Sequence, residues 1–517
     1  MQTACYCLNN NAYQLPLSFI YKTVNMKLPL YNSWRNSLQA ITPIALLLFS
    51  FALLSCNDDE QFTKSPTTIL TLPFDTLRTD TAISGTTTSK YSFVIRNRNS
   101  KGIKITKAYL DNEGVSGFQV AVDGININDP YNHVIEVRGH DSITVYVKFK
   151  AKENTGDTAQ TVSDNISFLL ESGTVQKVTL LGYSQGVNTL NNVTFNNDTV
   201  LKSNKPFHIT GNLKITQGNT LTLAPGTVLL FSPTSEMIVE GCLDALGTVD
   251  SAIVFRGDRL DHMFVNQPYD RIAGQWGGIT FTSTSFGNVL NHCDIHSGNY
   301  GIKCDSSQTG PQKLKLENSV VHNMKGDCMT LVSSNVFVGN CQITNALGNC
   351  VTIRGGDNQF VHCTIGNFYP FEGNRGKAVY LYNSLNGRRL PLQKALFENC
   401  IISGWSDDEL FASFLDDNTA KEYLFRSCLL TTPEVEDETN YPNCIFENTQ
   451  DTLWGSKNFR KFDYDNLVFD FRLDTLSKAR NNADVFITQK YYPFDCKGRA
   501  RLENDGKSDI GCFEFEK

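Results

Sequence analysis

From residue 71 onward the chain alternates. KYSFVIRN (Lys90 to Asn97), HDSITVYVKFK (His140 to Lys150), NISFLLES (Asn165 to Ser172) and VQKVTLLGYSQG (Val175 to Gly186) each set apolar against polar residues on a period of two. β-Branched and aromatic residues fill the runs and turn residues separate them, the pattern of half-buried strands. About seven such strands in residues 71–185 predict an antiparallel, immunoglobulin-like β-sandwich. That stretch has no cysteine, so packing alone must hold it.

Beyond residue 190 the signal becomes a recurrence. GNLKITQGNTLTLAPGTVLLF (Gly211 to Phe231) gives short strands between glycine and asparagine turns, and GCLDALGT (Gly241 to Thr248) echoes GNLKITQG thirty residues later. Cys293, Ser319, Cys341, Cys363, Cys400 and Cys428 each precede an aliphatic residue two places on: Ile295, Val321, Ile343, Ile365, Ile402 and Leu430. The spacings are 26, 22, 22, 37 and 28, so loops vary around a unit near 22. A second strand repeats in phase: GIKC (Gly301 to Cys304), CMTL (Cys328 to Leu331), CVTI (Cys350 to Ile353) and AVYL (Ala378 to Leu381). A unit of that length with polar turns predicts a right-handed parallel β-helix over residues 190–517, ending in a C-terminal cap. Its coils stack about 4.8 Å apart, and residues two apart point inward together. His292, Asn318, Asn340, His362, Asn399 and Ser427, just before the inward column, form a polar ladder at the turns. The fold class is therefore all-β.

The first 70 residues read differently. Residues 1–25 look like an upstream extension before Met26. Lys27 and Arg35 then precede an apolar core of 14 residues, Ile41 to Leu54, too short to span a bilayer comfortably. Residues 1–55 are thus an extension and an export signal, and residues 56–70 a polar tether. LLSC (Leu53 to Cys56) resembles a bacterial lipobox, which implies a lipid on Cys56; several acyl chains anchor stably where one does not. Asp58, Asp59 and Glu60 follow, and carboxylates beside anionic headgroups stay solvated. They resemble the acidic export tag of Bacteroidetes surface lipoproteins.

Charge narrows the partners. The net charge is −7, and the first 55 residues contribute three cations (Lys22, Lys27, Arg35) and no acid, which leaves −10 for the rest. Such a chain has no general attraction to nucleic acid. Its expected partners are the membrane, through the anchor, and a polysaccharide or host glycan.

NTLTLAPGTVLLF, DRIAGQWGGITF (Asp270 to Phe281), SDIGCFEF (Ser508 to Phe515) and, in the sandwich, FVIRNRNSKGIKITKAYLD resemble Bacteroidetes surface lipoproteins with a right-handed β-helix, in the pectin-lyase-like fold. The resemblance implies an outer-membrane, lipid-anchored, cell-surface location. It does not name a reaction, because this fold hosts lyases, hydrolases, adhesins and scaffolds.

Twelve cysteines lie between Cys242 and Cys512. They follow the coil and alternate with inward aliphatics, so they read as free thiols packed as small hydrophobes, with no paired spacing for a metal. Enzymes of the fold need a base or paired carboxylates on one outward face. The outward column Lys303, Thr330, Thr352, Tyr380 offers one base, with Arg354 and Asp357 at the following turn, and no carboxylate pair. Asp294 stands alone in its column, and SDDE (Ser406 to Glu409) reads as a solvated loop. His296 and His322 share a column with no third ligand, so neither a metal nor a cofactor is expected. RGD (Arg256 to Asp258) reads as a turn after a strand. Asp-Ser/Thr steps at Thr76, Thr81, Ser142, Thr158, Thr199, Thr452 and Thr475 resemble the O-glycosylation acceptor of Bacteroidetes exported proteins. These features favour a surface-anchored protein with a non-catalytic binding or adhesive role toward glycans. The alternatives are a polysaccharide lyase or glycoside hydrolase using Lys303, Arg354 and Tyr380, and a structural envelope component.

Overall fold

A computed structural model describes residues 60–112, 115–127, 133–307, 310–503 and 506–517. Cys56, Asp58 and Asp59 lie outside them; Glu60 is half-buried. No helix among the described residues is long and apolar enough to cross a membrane.

Nine strands, two more than the alternation predicts, lie between Thr76 and Gln185. Thr76–Ile83, Val175–Gln185, Gln160–Leu170, Ile103–Leu110 and Ile135–Val137 make one sheet; Tyr91–Arg96, Ser142–Phe149, Phe118–Val122 and Ile125–Asn126 make the other. Alternate residues of both (Ile95, Val145, Val147 and Phe149 against Ile105, Ile166, Phe168 and Leu180) share one buried core. Thr76–Ile83 pairs in parallel with Val175–Gln185, whereas the other pairings are antiparallel. Part of the expected tether also belongs here. Phe62 bridges to Gly102, Leu70 is 2% exposed, and the Leu70 N–H donates to Gln176 Oε1 at 2.9 Å.

From Asn188–Phe195 to Ile445–Phe446 the chain builds one 25-stranded sheet whose strands pair in parallel with those a coil away, an all-β, β-helix-like arrangement. The inward column is as read. Asp294 pairs with Val320, Val320 with Gln342, Gln342 with Thr364, Thr364 with Ile401 and Ile401 with Leu429, which stacks the preceding Cys293, Ser319, Cys341, Cys363, Cys400 and Cys428. Leu429 pairs in turn with Ile445, so Cys444 extends the column. One echo was out of register. Cys242–Leu246 pairs with Thr220–Leu223, 22 residues earlier, and not with the GNLKITQG run, which pairs with Met237–Val239 instead.

The polar ladder has a backbone cause. His292, Asn318, Asn340, His362, Asn399 and Ser427 all have φ between 47° and 59°. Each of these coils passes this corner through a left-handed residue, and asparagine tolerates that region better than other side chains except glycine. Their amides also link the coils: Asn318 Nδ2 donates to Asn291 Oδ1 at 2.9 Å and Asn340 Nδ2 to Asn318 Oδ1 at 2.7 Å.

The C-terminal segment, expected as a cap, runs along the flank of the coils over this ladder. It carries the hairpin Phe459–Asp463 with Val468–Leu473 and the helix Val485–Tyr491, whose N-cap is Asp484. Tyr492 Oη donates to Glu317 Oε1 (2.7 Å), the Gly511 N–H to the Asn399 carbonyl (2.9 Å), and Thr488 Oγ1 lies 2.8 Å from His362 Nε2. Phe471, Leu473, Ile510 and Cys512 seal it against Phe368, Ile401 and Leu429.

Candidate functional site

Where strand Thr364–Asn367 ends, residues 368–377 swell the corner into a loop. Phe368 anchors it, fully buried with its ring edge-on to Phe459 and Phe462 of the C-terminal hairpin. The next coil places Trp405 just after Ile401–Gly404, and the hairpin contributes Tyr464. These elements enclose a cleft of about 440 Å³ lined by Tyr369, Glu372, Arg375, Trp405 and Tyr464. Trp405 is 45% exposed, with its ring 5.7 Å from that of Tyr464.

The cleft has a rigid polar floor. Arg375 Nη2 lies 2.6 Å from Glu409 Oε1, both side chains nearly sealed from water. Glu409 also accepts from the Ser406 N–H (2.8 Å) and the Ala378 N–H (3.0 Å). Burial pushes its carboxyl above the usual range, and Arg375 with the two amides offsets only part of this. SDDE is therefore not a solvated loop throughout, since Glu409 is structural. Glu372, on the rim, is exposed. Two aromatic faces and one rim carboxylate suit the stacking and hydrogen bonding of a sugar ring. A glycosidase needs two available carboxylates flanking a bond; here the second is committed to Arg375.

The column Lys303, Thr330, Thr352, Tyr380 stands as read, extended to Phe411. Arg354 belongs to a neighbouring column, opposite Val332 and Tyr382. Both cations are held over rings: Lys303 Nζ is 3.5 Å from the Tyr300 centroid and the Arg354 guanidinium carbon 4.1 Å from that of Tyr382. Tyr380 stacks on Tyr382 at 4.1 Å.

The histidine column is corrected by the structure. His296 and His322 pair across adjacent coils, and Asp294 is a third member, with Oδ1 2.9 Å from His296 Nδ1 and 3.1 Å from His322 Nε2. His296 Nε2 lies 2.8 Å from Asp270 Oδ1, delivered by the excursion between Gly257 and Ile279. Burial disfavours a charged His296, but Asp294 and Asp270 outweigh it and raise the ring to about 9. Asp270 falls to about 2, because His296 and Arg256 outweigh its own burial. RGD is not a turn. Arg256 and Gly257 end strand Ile253–Gly257, a Cβ on Gly257 would sit 2.4 Å from Gln275 Cβ, Arg256 pairs with Asp270 (2.6 Å), and Asp258 Oδ2 lies 3.1 Å from His208 Nε2.

Of the expected acceptors, Ser142, Thr158, Thr452 and Thr475 are exposed, while Thr76, Thr81 and Thr199 are half-buried. Asp80, before Thr81, is occupied by Tyr91 Oη (2.6 Å) and His262 Nδ1 (2.9 Å).

Trp405, Tyr464 and Asp270 were missed by sequence reading. Trp405 had a signal, a tryptophan at the corner directly after an inward strand. The other two arrive from excursions that no periodicity marks.

No family model matches the chain, and no curated protein does. Among solved structures, it is similar to the ASH/PapD-like domain of human CEP192, at 18% identity and a TM-score of 0.15, covering 24% of this chain and 90% of that one. It is also similar to the catalytic domain of a GH87 alpha-1,3-glucanase in complex with tetrasaccharides, at 11% identity and a TM-score of 0.22, covering 69% of this chain and 90% of that one.

Proposed function

We propose that this protein is a surface-anchored lipoprotein that binds glycan without cleaving it, through the cleft between Trp405 and Tyr464. The observation that carries the reading is the pair of exposed aromatic faces set above the buried Arg375–Glu409 floor. Exposed rings offer stacking area to a sugar's apolar face at low entropic cost. The commitment of Glu409 to Arg375 speaks for binding over hydrolysis. In this reading the coils are a right-handed β-helix and the N-terminal sheets an immunoglobulin-like spacer. Cys56 carries the lipid, and Asp58, Asp59 and Glu60 direct the chain to the outer face of a Bacteroidetes outer membrane. The test is a glycan array with the full chain and its Trp405→Ala variant, followed by product analysis of every ligand found. Retained glycan with at least about tenfold weaker binding by Trp405→Ala is expected, since losing a stacked aromatic costs on the order of 1–2 kcal/mol. An array profile unchanged by the substitution, or a shortened product, refutes the reading.

A further inference from the structure

Asp294, His296 and His322 lie outside the cleft, and the glycan reading does not use them. Asp294 and His296 are two residues apart on strand Cys293–His296 and so share its outer face, while His322 stands opposite His296 on the next coil. The imidazole centroids are 4.9 Å apart. One ligand atom from each of the three residues lies within 4.8 Å of the other two, and Asp294 Oδ1 is in reach of both His296 Nδ1 and His322 Nε2. Four tetrahedral ligands at about 2.0–2.1 Å from an ion are separated by about 3.3 Å. The two contacts to Asp294, 2.9 and 3.1 Å, need only a few tenths of an ångström to reach that spacing.

We propose that Asp294, His296 and His322 bind a divalent transition-metal ion of the zinc class, with a coordination position left open. A second layer supports the first. A ligating histidine needs its other ring nitrogen fixed by a hydrogen bond. His296 has Asp270 Oδ1 at 2.8 Å from Nε2, and Asp270 is itself held by Arg256 Nη1 at 2.6 Å. On binding, the ion displaces the Nδ1 proton; with the Nε2 proton directed to Asp270, the Nδ1 lone pair then faces the ion. The ligands sit on adjacent strands of a stacked sheet, which fixes their separation more tightly than a loop would. The His296 side chain is 6% exposed, but Asp294 and His322 retain 38% and 24%, so water or a ligand reaches the fourth position. Two imidazoles and one carboxylate select zinc, cobalt, nickel or copper, whereas calcium and magnesium take oxygen.

The experiment uses the full chain, stripped of metal by a chelator and dialysed, then titrated with Zn²⁺ calorimetrically and with Co²⁺ by visible absorption. One ion per chain is expected, and the Co²⁺ spectrum should lack the thiolate charge-transfer band that the domain's cysteines would add. Affinity should fall about 100-fold or more in His322→Ala and Asp294→Ala, and 10–100-fold in Asp270→Asn. His140→Asn, at an exposed turn, should leave it unchanged. No saturable binding by the native chain, equal binding by His322→Ala, or a thiolate band overturns the proposal. Because a variant can fail to fold, the native chain is also modified with diethylpyrocarbonate. Zn²⁺ should protect His322, and equal labelling with and without Zn²⁺ refutes the site.

Discussion

Arg501 Nη2 donates to the corner amide of Asn340 at 2.7 Å across 161 residues of sequence. Asn340 has φ of 59°, so the residue that turns the coil also docks the C-terminal segment. Arg501 is buried, with Nη1 3.3 Å from Glu514 Oε2 and Nη2 3.0 Å from the Gly511 carbonyl. Removing one partner of such a group leaves the others desolvated and unpaired. Arg501→Met should cost about 3 kcal/mol in urea unfolding and expose the C-terminal segment to protease. Asn340→Gly keeps the turn conformation but loses the amide, and should cost about 1–2 kcal/mol. Equal losses from both would mean that the Asn340 contact alone, and not the rest of the Arg501 network, carries the docking.

The same segment should loosen in alkali. Burial, with Asp509 nearby, raises Glu514 from its usual 4.5 to about 8, and Arg501 offsets only part of this. Folding therefore raises its proton affinity, so the docked segment holds a proton that the unfolded chain gives up between pH 4.5 and about 8. The resulting stability is complete below pH 4.5 and gone above about 8. Hydrogen exchange over residues 479–515 should accelerate between pH 5 and 8 beyond the intrinsic rate. Glu514→Gln, which cannot ionise, should flatten that rise. A rise that persists in Glu514→Gln would place the proton elsewhere.

The coils were readable because each repeats one small decision. Inward Cys341, Cys363 and Cys400 recur at fixed offset from Ile343, Ile365 and Ile402, and the corner always holds a residue that tolerates positive φ. Contacts made only once were not readable. Nothing local marks Arg501 for Asn340, Tyr464 for Trp405 or Asp270 for His296, because those pairings depend on where a loop lands. Asp294 is a different case. A column links His296 to His322 from coil to coil, but residues two apart on one strand also share a face, and that step joins Asp294 to both.

The column also revises what a serine would do at Cys341. Sequence alone implies a buried hydroxyl without a partner, costing about 1–3 kcal/mol. Ser319 already occupies this column one coil away, where its hydroxyl donates to the Glu317 carbonyl (2.6 Å) and accepts from the Cys293 N–H (2.9 Å). Cys341 Sγ likewise lies 3.1 Å from the Gly339 carbonyl and 3.4 Å from the Ser319 nitrogen. Cys341→Ser should thus cost under about 1 kcal/mol. Cys341→Ala, which leaves the Ser319 N–H without that acceptor and opens a small void, should cost about 1–3 kcal/mol. Chemical denaturation that ranks serine as the worse substitution would show that the column does not bond in this way.

The twelve cysteines of the coils and C-terminal segment are free, and all but Cys242 and Cys444 are buried. Burial raises Cys242 to about 11, with Asp244 adding to the shift. A thiol reacts as its thiolate, so alkylation should be slow even at these two positions near neutral pH, though faster there than elsewhere. Denaturation without reductant should then release all twelve. Mass spectrometry with iodoacetamide before and after unfolding resolves the order. Bridges among Cys341, Cys363, Cys400 and Cys428 would overturn the free column.

Lys303 decides whether the outward face can act as a lyase. Abstraction of a proton beside a sugar carboxylate needs a base within reach and a cation to stabilise the enolate that forms. Lys303 Nζ instead rests 3.5 Å above the Tyr300 ring, whose hydroxyl donates to Glu236 Oε2 at 2.9 Å. The other candidate cation, Arg354, stands two coils further along, roughly 10 Å by coil spacing, over Tyr382. Groups that far apart can span a disaccharide but do not converge on one carbon. Pectate, alginate and glycosaminoglycans should therefore yield no unsaturated product, read by ultraviolet absorbance, with or without calcium. A product signal that disappears in Lys303→Ala would make this face a catalytic one and displace the Trp405 cleft as the principal site.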